Sequence, residues 1–118
     1  CAALADARVE ALLVAAHTFF VRDRAAIIRL AERARLPAIY EWPDQVRDGG
    51  LMAYGPNLDR LWQRIAVYVD RILKGTPAGS LPIELPTAVE LAINVRTARA
   101  IGLALPPTLL ARADTIYE

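Results

Sequence analysis

The stretch from Glu10 to Tyr40 constrains the fold of this chain most. Glu10–Ala16 reads EALLVAA, a short continuous apolar run with a polar edge, which suits a strand buried on both faces of a parallel sheet. From Phe20 to Arg35 the apolar positions Phe20, Ile27, Ile28, Ala31 and Ala34 recur at helical spacing with charges between them. Leu36-Pro37-Ala38-Ile39-Tyr40 then reads as the next strand. A strand-helix-strand unit of this kind predicts an α/β chain built on a Rossmann-like parallel sheet.

Downstream the pattern changes. Only about ten residues separate Tyr40 from Leu51, fewer than the dozen or so that a parallel crossover ordinarily needs. Pro43–Gly50, with its Asp48-Gly49-Gly50 turn, is therefore expected to form a short helix and then to leave one sheet for another. The clearest element is a helix over 58–74. Leu58, Leu61, Trp62, Ile65, Val69, Ile72 and Leu73 mark one apolar face, with Trp62 read as core, Asn57 is a good N-cap and Gly75 is placed to end it. After the turn-rich 76–80, extended runs are expected over 81–85 and 89–94, a short helix over 96–101 and a helical turn near 108–113, with Pro106 interrupting regular structure between them.

Composition excludes several classes of function. A chain of 118 residues, 55% hydrophobic with a mean hydropathy of +0.27, has enough apolar material for a packed core. A net charge of +1 gives no reason to expect a nucleic acid partner. The longest apolar stretch, 11–16, falls far short of the ~18 residues that cross a bilayer. The first residues carry neither the charged nor the apolar region of a secretory signal. The single cysteine, Cys1, excludes an intramolecular disulfide and a multi-thiolate zinc site.

Catalytic chemistry has little to work with. The chain has one serine, Ser80, and one histidine, His17, and lacks a nucleophile elbow, a phosphate-cradling glycine loop and a metal-ligating pair of histidines. Neither enzymatic activity nor a cofactor or metal is expected. The residues that attract attention follow strands, where an open α/β sheet places its ligand crevice. His17 follows the first strand and either holds a ligand or simply caps or hydrogen-bonds its turn, and Thr18 is the expected N-cap of the next helix under either reading. Tyr40, Glu41 and Trp42 follow the second strand, either as aromatic surfaces beside a carboxylate for an amine-bearing solute or as a surface hinge. Tyr54, Gly55 and Asn57 mark a third strand end, where Asn57 is read mainly as the helix cap and Tyr54 as the better candidate for ligand contact. Arg22, Arg24, Arg29, Arg33 and Arg35, interleaved with Asp23 and Glu32, read as a solvated helix face.

Ordered blocks along the chain resemble a known family. Glu90-Leu91-Ala92-Ile93-Asn94, Thr97-Ala98-Arg99-Ala100-Ile101-Gly102 and Pro106-Pro107-Thr108-Leu109-Leu110-Ala111-Arg112-Ala113-Asp114 follow one another as they do at the C-terminal end of ABC transporter substrate-binding proteins. Gly50-Leu51-Met52-Ala53-Tyr54-Gly55-Pro56-Asn57 and Tyr68-Val69-Asp70-Arg71-Ile72-Leu73-Lys74-Gly75 fit the same family, whose better-known members bind tryptophan or tyrosine.

The resemblance implies the C-terminal portion of a type I periplasmic-binding fold. Residues 1–49 would belong to the second lobe, 50–75 would supply a strand and long helix of the first lobe, and 76–118 would return. It further implies a solute-binding component that takes up a small amino acid-like or aromatic compound, held by His17, Thr18, Tyr40, Glu41, Trp42, Tyr54 and Asn57, and that docks on an ABC permease. Such a protein is periplasmic or lipid-anchored outside the inner membrane, although Cys1 is more readily a boundary that falls at a cysteine than a lipidated residue. As a fragment the chain is expected to self-associate into a homo-oligomer. The competing reading is a stand-alone ligand-sensing domain of the same fold, which a DNA-binding arm would mark.

Overall fold

A computed structural model describes residues 8–85 and 89–118. In chain order the elements are β1 (Leu12–Leu13), α1 (Thr18–Arg22), α2 (Arg24–Arg33), β2 (Ala38–Tyr40), α3 (Pro43–Arg47), β3 (Met52–Pro56), α4 (Leu58–Leu73), a single 3₁₀ turn (Ala78–Ser80), β4 (Val89–Asn94), α5 (Val95–Ile101), α6 (Pro107–Leu110) and β5 (Thr115–Tyr117). The strands form one sheet of five in the order β1-β2-β3-β4-β5, and the pairs β1/β2, β2/β3 and β4/β5 are parallel. The α/β class with a mostly parallel sheet is as the sequence predicts. The readings made of Cys1 lie outside the described residues.

The chain divides into two compact units, residues 1–55 with 90–118, and residues 56–89. The core of the larger unit is built from small side chains on successive strands, Ala38, Ala53 and Ala92, which leave room for Ile28 and Ala31 of α2, Tyr40 of β2 and Val46 of α3. A second cluster joins Leu51 to Ala98 and Ile101 of α5. Asn94 ties the two together. Its main-chain N–H donates to the Leu51 carbonyl at 2.8 Å, its Nδ2 to the Val46 carbonyl at 3.1 Å, and its Oδ1 caps α5 by accepting from the Thr97 N–H at 2.9 Å. At 4% exposure this amide has every reason to be fully bonded.

β2 and β3 correct one expectation. They lie side by side, with Ile39 opposite Met52 and Tyr40 opposite Ala53, so the chain does not leave the sheet at Asp48–Gly50. The one short helix α3 suffices for this crossover because the chain turns back tightly through Gly49, at φ +112°, and Gly50. A Cβ on Gly50 would stand 2.7 Å from both the Gln45 carbonyl oxygen and the Tyr40 ring, so only glycine lets the turn close against β2. The helical region 20–35 is likewise split, into α1 and α2, at Asp23.

In the smaller unit, Asn57 caps α4 as expected, its Oδ1 accepting from the Arg60 N–H at 2.8 Å, and Gly75 follows the helix end. The return segment is fastened to this helix by Arg64, whose guanidinium grips the Glu84 carboxylate through two nitrogens, and by the Tyr68 hydroxyl, which donates to the Pro82 carbonyl at 2.8 Å. No residue of α4 is buried, and Trp62, expected in the core, is 63% exposed. Periodicity defines an apolar face but not what covers it. Nor is there a strand over 81–85, where Pro82 lacks a ladder donor and Ile83 is fully exposed.

Candidate functional site

The carboxyl ends of three adjoining strands, β1, β2 and β3, carry most of the residues singled out in the sequence. After β1, the Val14 N–H continues the ladder to the Ile39 carbonyl at 2.9 Å, and the chain then reaches His17. His17, and not Thr18, is the N-cap of α1. Its Nδ1 accepts from the Phe19 N–H at 3.1 Å, so in the neutral ring the hydrogen lies on Nε2, and the side chain is exposed. The imidazole leans edge-on to Phe20, with ring centroids 6.0 Å apart. Thr18 occupies the first helical position and is exposed.

At the end of β2 consecutive side chains separate, as the pleat requires. Tyr40 turns inward: it is 2% exposed, packs with Ile28 and Val46, and burial raises its phenol to a pKa of about 12. It is a core residue and not the exposed aromatic surface that its place in the sequence suggested. Glu41 follows, half-buried, and its Oε2 is shut off from solvent with no hydrogen-bond partner among the described residues. Trp42 is half-buried at the start of α3, where its N–H donates to Oε1 of the buried Gln45 at 3.1 Å.

β3 completes the arrangement. The register that sets Tyr40 opposite Ala53 brings Glu41 and Tyr54 next in line. Tyr54 is 60% exposed, whereas Gly55 is buried against the Glu41 main chain. Asn57 belongs to the smaller unit, where it caps α4. At these strand ends the larger unit carries an exposed imidazole, a carboxylate oxygen with no partner among the described residues, a half-buried Trp side chain and an exposed phenol. Such a set offers a hydrogen-bond donor, an acceptor and two aromatic rings within one unit. Among the described residues no group of His, Cys, Asp and Glu could hold a metal ion. Sequence reasoning marks Gly55 only as part of a strand end and misses Gln45; the first packs against the Glu41 main chain and the second accepts from the Trp42 main-chain N–H.

The family profile described as ABC transporter substrate binding protein matches residues 2–117, almost the entire chain. The chain belongs to the ABC transporter substrate-binding protein family. Among solved structures it is similar to a conserved domain protein from Vibrio cholerae O1 biovar El Tor, with a TM-score of 0.87 and 24% identity over 97% of this chain and 38% of that one. It is also similar to an ABC domain from Streptococcus pneumoniae in complex with L-Trp, with a TM-score of 0.84 and 18% identity over 96% of this chain and 39% of that one. A third is the ligand-free, open form of a substrate-binding protein with adhesive properties from Clostridium difficile, with a TM-score of 0.66 and 16% identity over 98% and 38% of the respective chains. No curated protein matches. The chain thus spans less than two fifths of the length of these solved proteins. Substrate-binding proteins are a non-enzymatic class that recognises small molecules, and no helix among the described residues is long and apolar enough to cross a membrane.

Proposed function

We propose that this chain is part of the solute-binding component of an ABC transporter that captures a small amino acid-like or aromatic compound outside the cytoplasm and delivers it to a membrane permease for uptake. No bond is made or broken in this role. Binding energy comes from stacking, from charge pairing and from closure around the solute.

The observation that carries the reading is the Glu41 carboxylate. An acceptor oxygen shielded from water and without a donor is costly unless a ligand supplies one, and an ammonium group is the donor that suits a carboxylate best. Tyr54, next along the sheet edge, and Trp42 offer ring faces to the rest of the solute, and the His17 Nε2 hydrogen is available to a solute oxygen. The L-Trp in the Streptococcus structure is a solute of this chemistry. Taken alone the chain associates with itself, because α4 leaves large apolar side chains exposed.

Calorimetric titration of the whole protein with a panel of amino acids, sugars and nucleosides tests the proposal. An amino acid-like or aromatic compound is expected to bind tightly. A sugar or a nucleoside as the sole tight ligand overturns it.

A further inference from the structure

The larger unit has a second polar recess, at the opposite end of β3 from Glu41 and Tyr54. Its position follows from the hydrogen bonds of α5. Asn94, at the end of β4, reaches Leu51 just before β3 begins, and the Thr97 hydroxyl donates to the Gly49 carbonyl at 2.9 Å. Between α2, the Asp48–Gly49 turn and the start of α5 lies a cleft of about 220 Å³ lined by Arg29, Glu32, Asp48, Arg96 and Thr97. A small inner chamber of about 10 Å³ adjoins it, shares Ile28, Glu32, Gly49 and Thr97 with it, and is lined further in by Tyr40.

We propose that this recess is a binding site for a small oxyanion, of the phosphate or carboxylate type, separate from the solute site at the strand ends.

The donors and acceptors decide the ligand class. Asp48 is already neutralised by Arg24, whose Nε lies 2.6 Å from its carboxylate. Arg29 and Arg96 have no ion-pair partner among the described residues, so the lining carries two free guanidinium groups against the single Glu32 carboxylate. The Tyr40 hydroxyl is buried and has no hydrogen-bond partner among the described residues. Its ring edge abuts Gly50, since a Cβ there would stand 2.7 Å from Cε2, which places the phenol end of the ring beside the Gly49–Gly50 turn. A buried phenol held in its protonated form is a donor in want of an acceptor. The Thr97 hydroxyl hydrogen is spent on Gly49. What is unsatisfied in the recess is therefore mostly donors, and an oxyanion is the complementary ligand, with planar guanidinium groups matching its oxygens. The inner chamber has about the size of one water and reaches Tyr40.

Titration of the protein with inorganic phosphate, against chloride at matched ionic strength, tests the site. Saturable binding is expected, and the double variant Arg29→Ala, Arg96→Ala should weaken it at least about tenfold, the loss expected from hydrogen bonds to charged groups. Arg33→Ala, on the same helix but outside the cleft, should have no effect. Glu32→Gln removes the opposing charge and should tighten phosphate binding several-fold, a gain that misfolding cannot mimic. Tyr40→Phe should weaken it severalfold. The arginine double variant should leave titration with an amine-bearing solute unchanged, which separates this site from the proposed solute site. Absence of saturable phosphate binding, or equal binding by the parent, the arginine variant and Glu32→Gln, overturns the proposal.

Discussion

Gly55 lies so close to Glu41 that a Cβ built on it would stand 2.1 Å from the Glu41 carbonyl oxygen and 3.2 Å from its Cγ. The main chain of β3 is thereby pressed against the residue that follows β2, and the Glu41 Oε2 is shut off from solvent with no donor among the described residues. Gly55→Ala should accordingly destabilise the larger unit by about 1–3 kcal/mol, the usual cost of overpacking. Gly79→Ala, where an added Cβ meets nothing within 4 Å, should be close to neutral. Chemical denaturation of the two variants checks the contrast.

Asn94→Ala should be more damaging than its single amide suggests. It removes the cap of α5 and strips the Val46 carbonyl of its side-chain donor in a buried setting. The loss should be about 2–4 kcal/mol, combining a lost cap with a buried acceptor left short. A fall in the denaturation midpoint with an unchanged slope is the expected readout.

Alkaline stability should depend on Tyr40. Burial raises its phenol from 10.0 to about 12, so the folded state keeps the proton more firmly than the unfolded chain does. Its contribution is fully present below about pH 10 and is lost as pH rises toward about 12, because the unfolded chain releases the proton first. In Tyr40→Phe this decline should flatten, with stability near pH 7 unchanged or slightly raised. Unfolding midpoints measured across the alkaline range decide it.

The exposed apolar side chains of α4, among them Trp62, Val69 and Leu73, should make the isolated chain associate as its concentration rises. Light scattering should show masses above that of a monomer in the micromolar range, and Trp62→Glu combined with Val69→Glu should reduce them. A clean monomer throughout contradicts this.

Local features of the chain were legible in its sequence wherever a short-range rule determines them. The Asn57 cap of α4, the Pro-initiated α3 and the passage from β4 into α5 depend on capping side chains and on spacing within a few residues. Long-range relationships were not legible. Nothing in residues 41–51 announces that so brief a crossover sets β3 beside β2, because this depends on Gly50 meeting the Tyr40 ring. The candidate site was legible as a set of strand ends but not in its directions. Tyr40 and Glu41 are neighbours in sequence, yet the pleat sends one into the core and leaves the other with an unsatisfied oxygen, and His17 displaced Thr18 as a cap by supplying Nδ1 to Phe19. Trp62 was misplaced because an amphipathic period carries no information about the surface that faces it.

In the proposed role Glu41 receives the amine of an amino acid-like or aromatic solute, with Tyr54 stacking on its body. The most direct test is calorimetry on the whole protein with tryptophan and its deaminated analogue, indole-3-propionate, each titrated into the parent, Glu41→Gln and Tyr54→Ala. The parent should prefer the amine-bearing ligand, and Glu41→Gln should abolish most of that preference, a loss of about tenfold or more for a charge-assisted hydrogen bond. Tyr54→Ala should weaken both ligands severalfold, as removal of an aromatic contact of about 0.5–1.5 kcal/mol requires. Equal binding of the two ligands by the parent, or an undiminished preference in Glu41→Gln, would contradict the account.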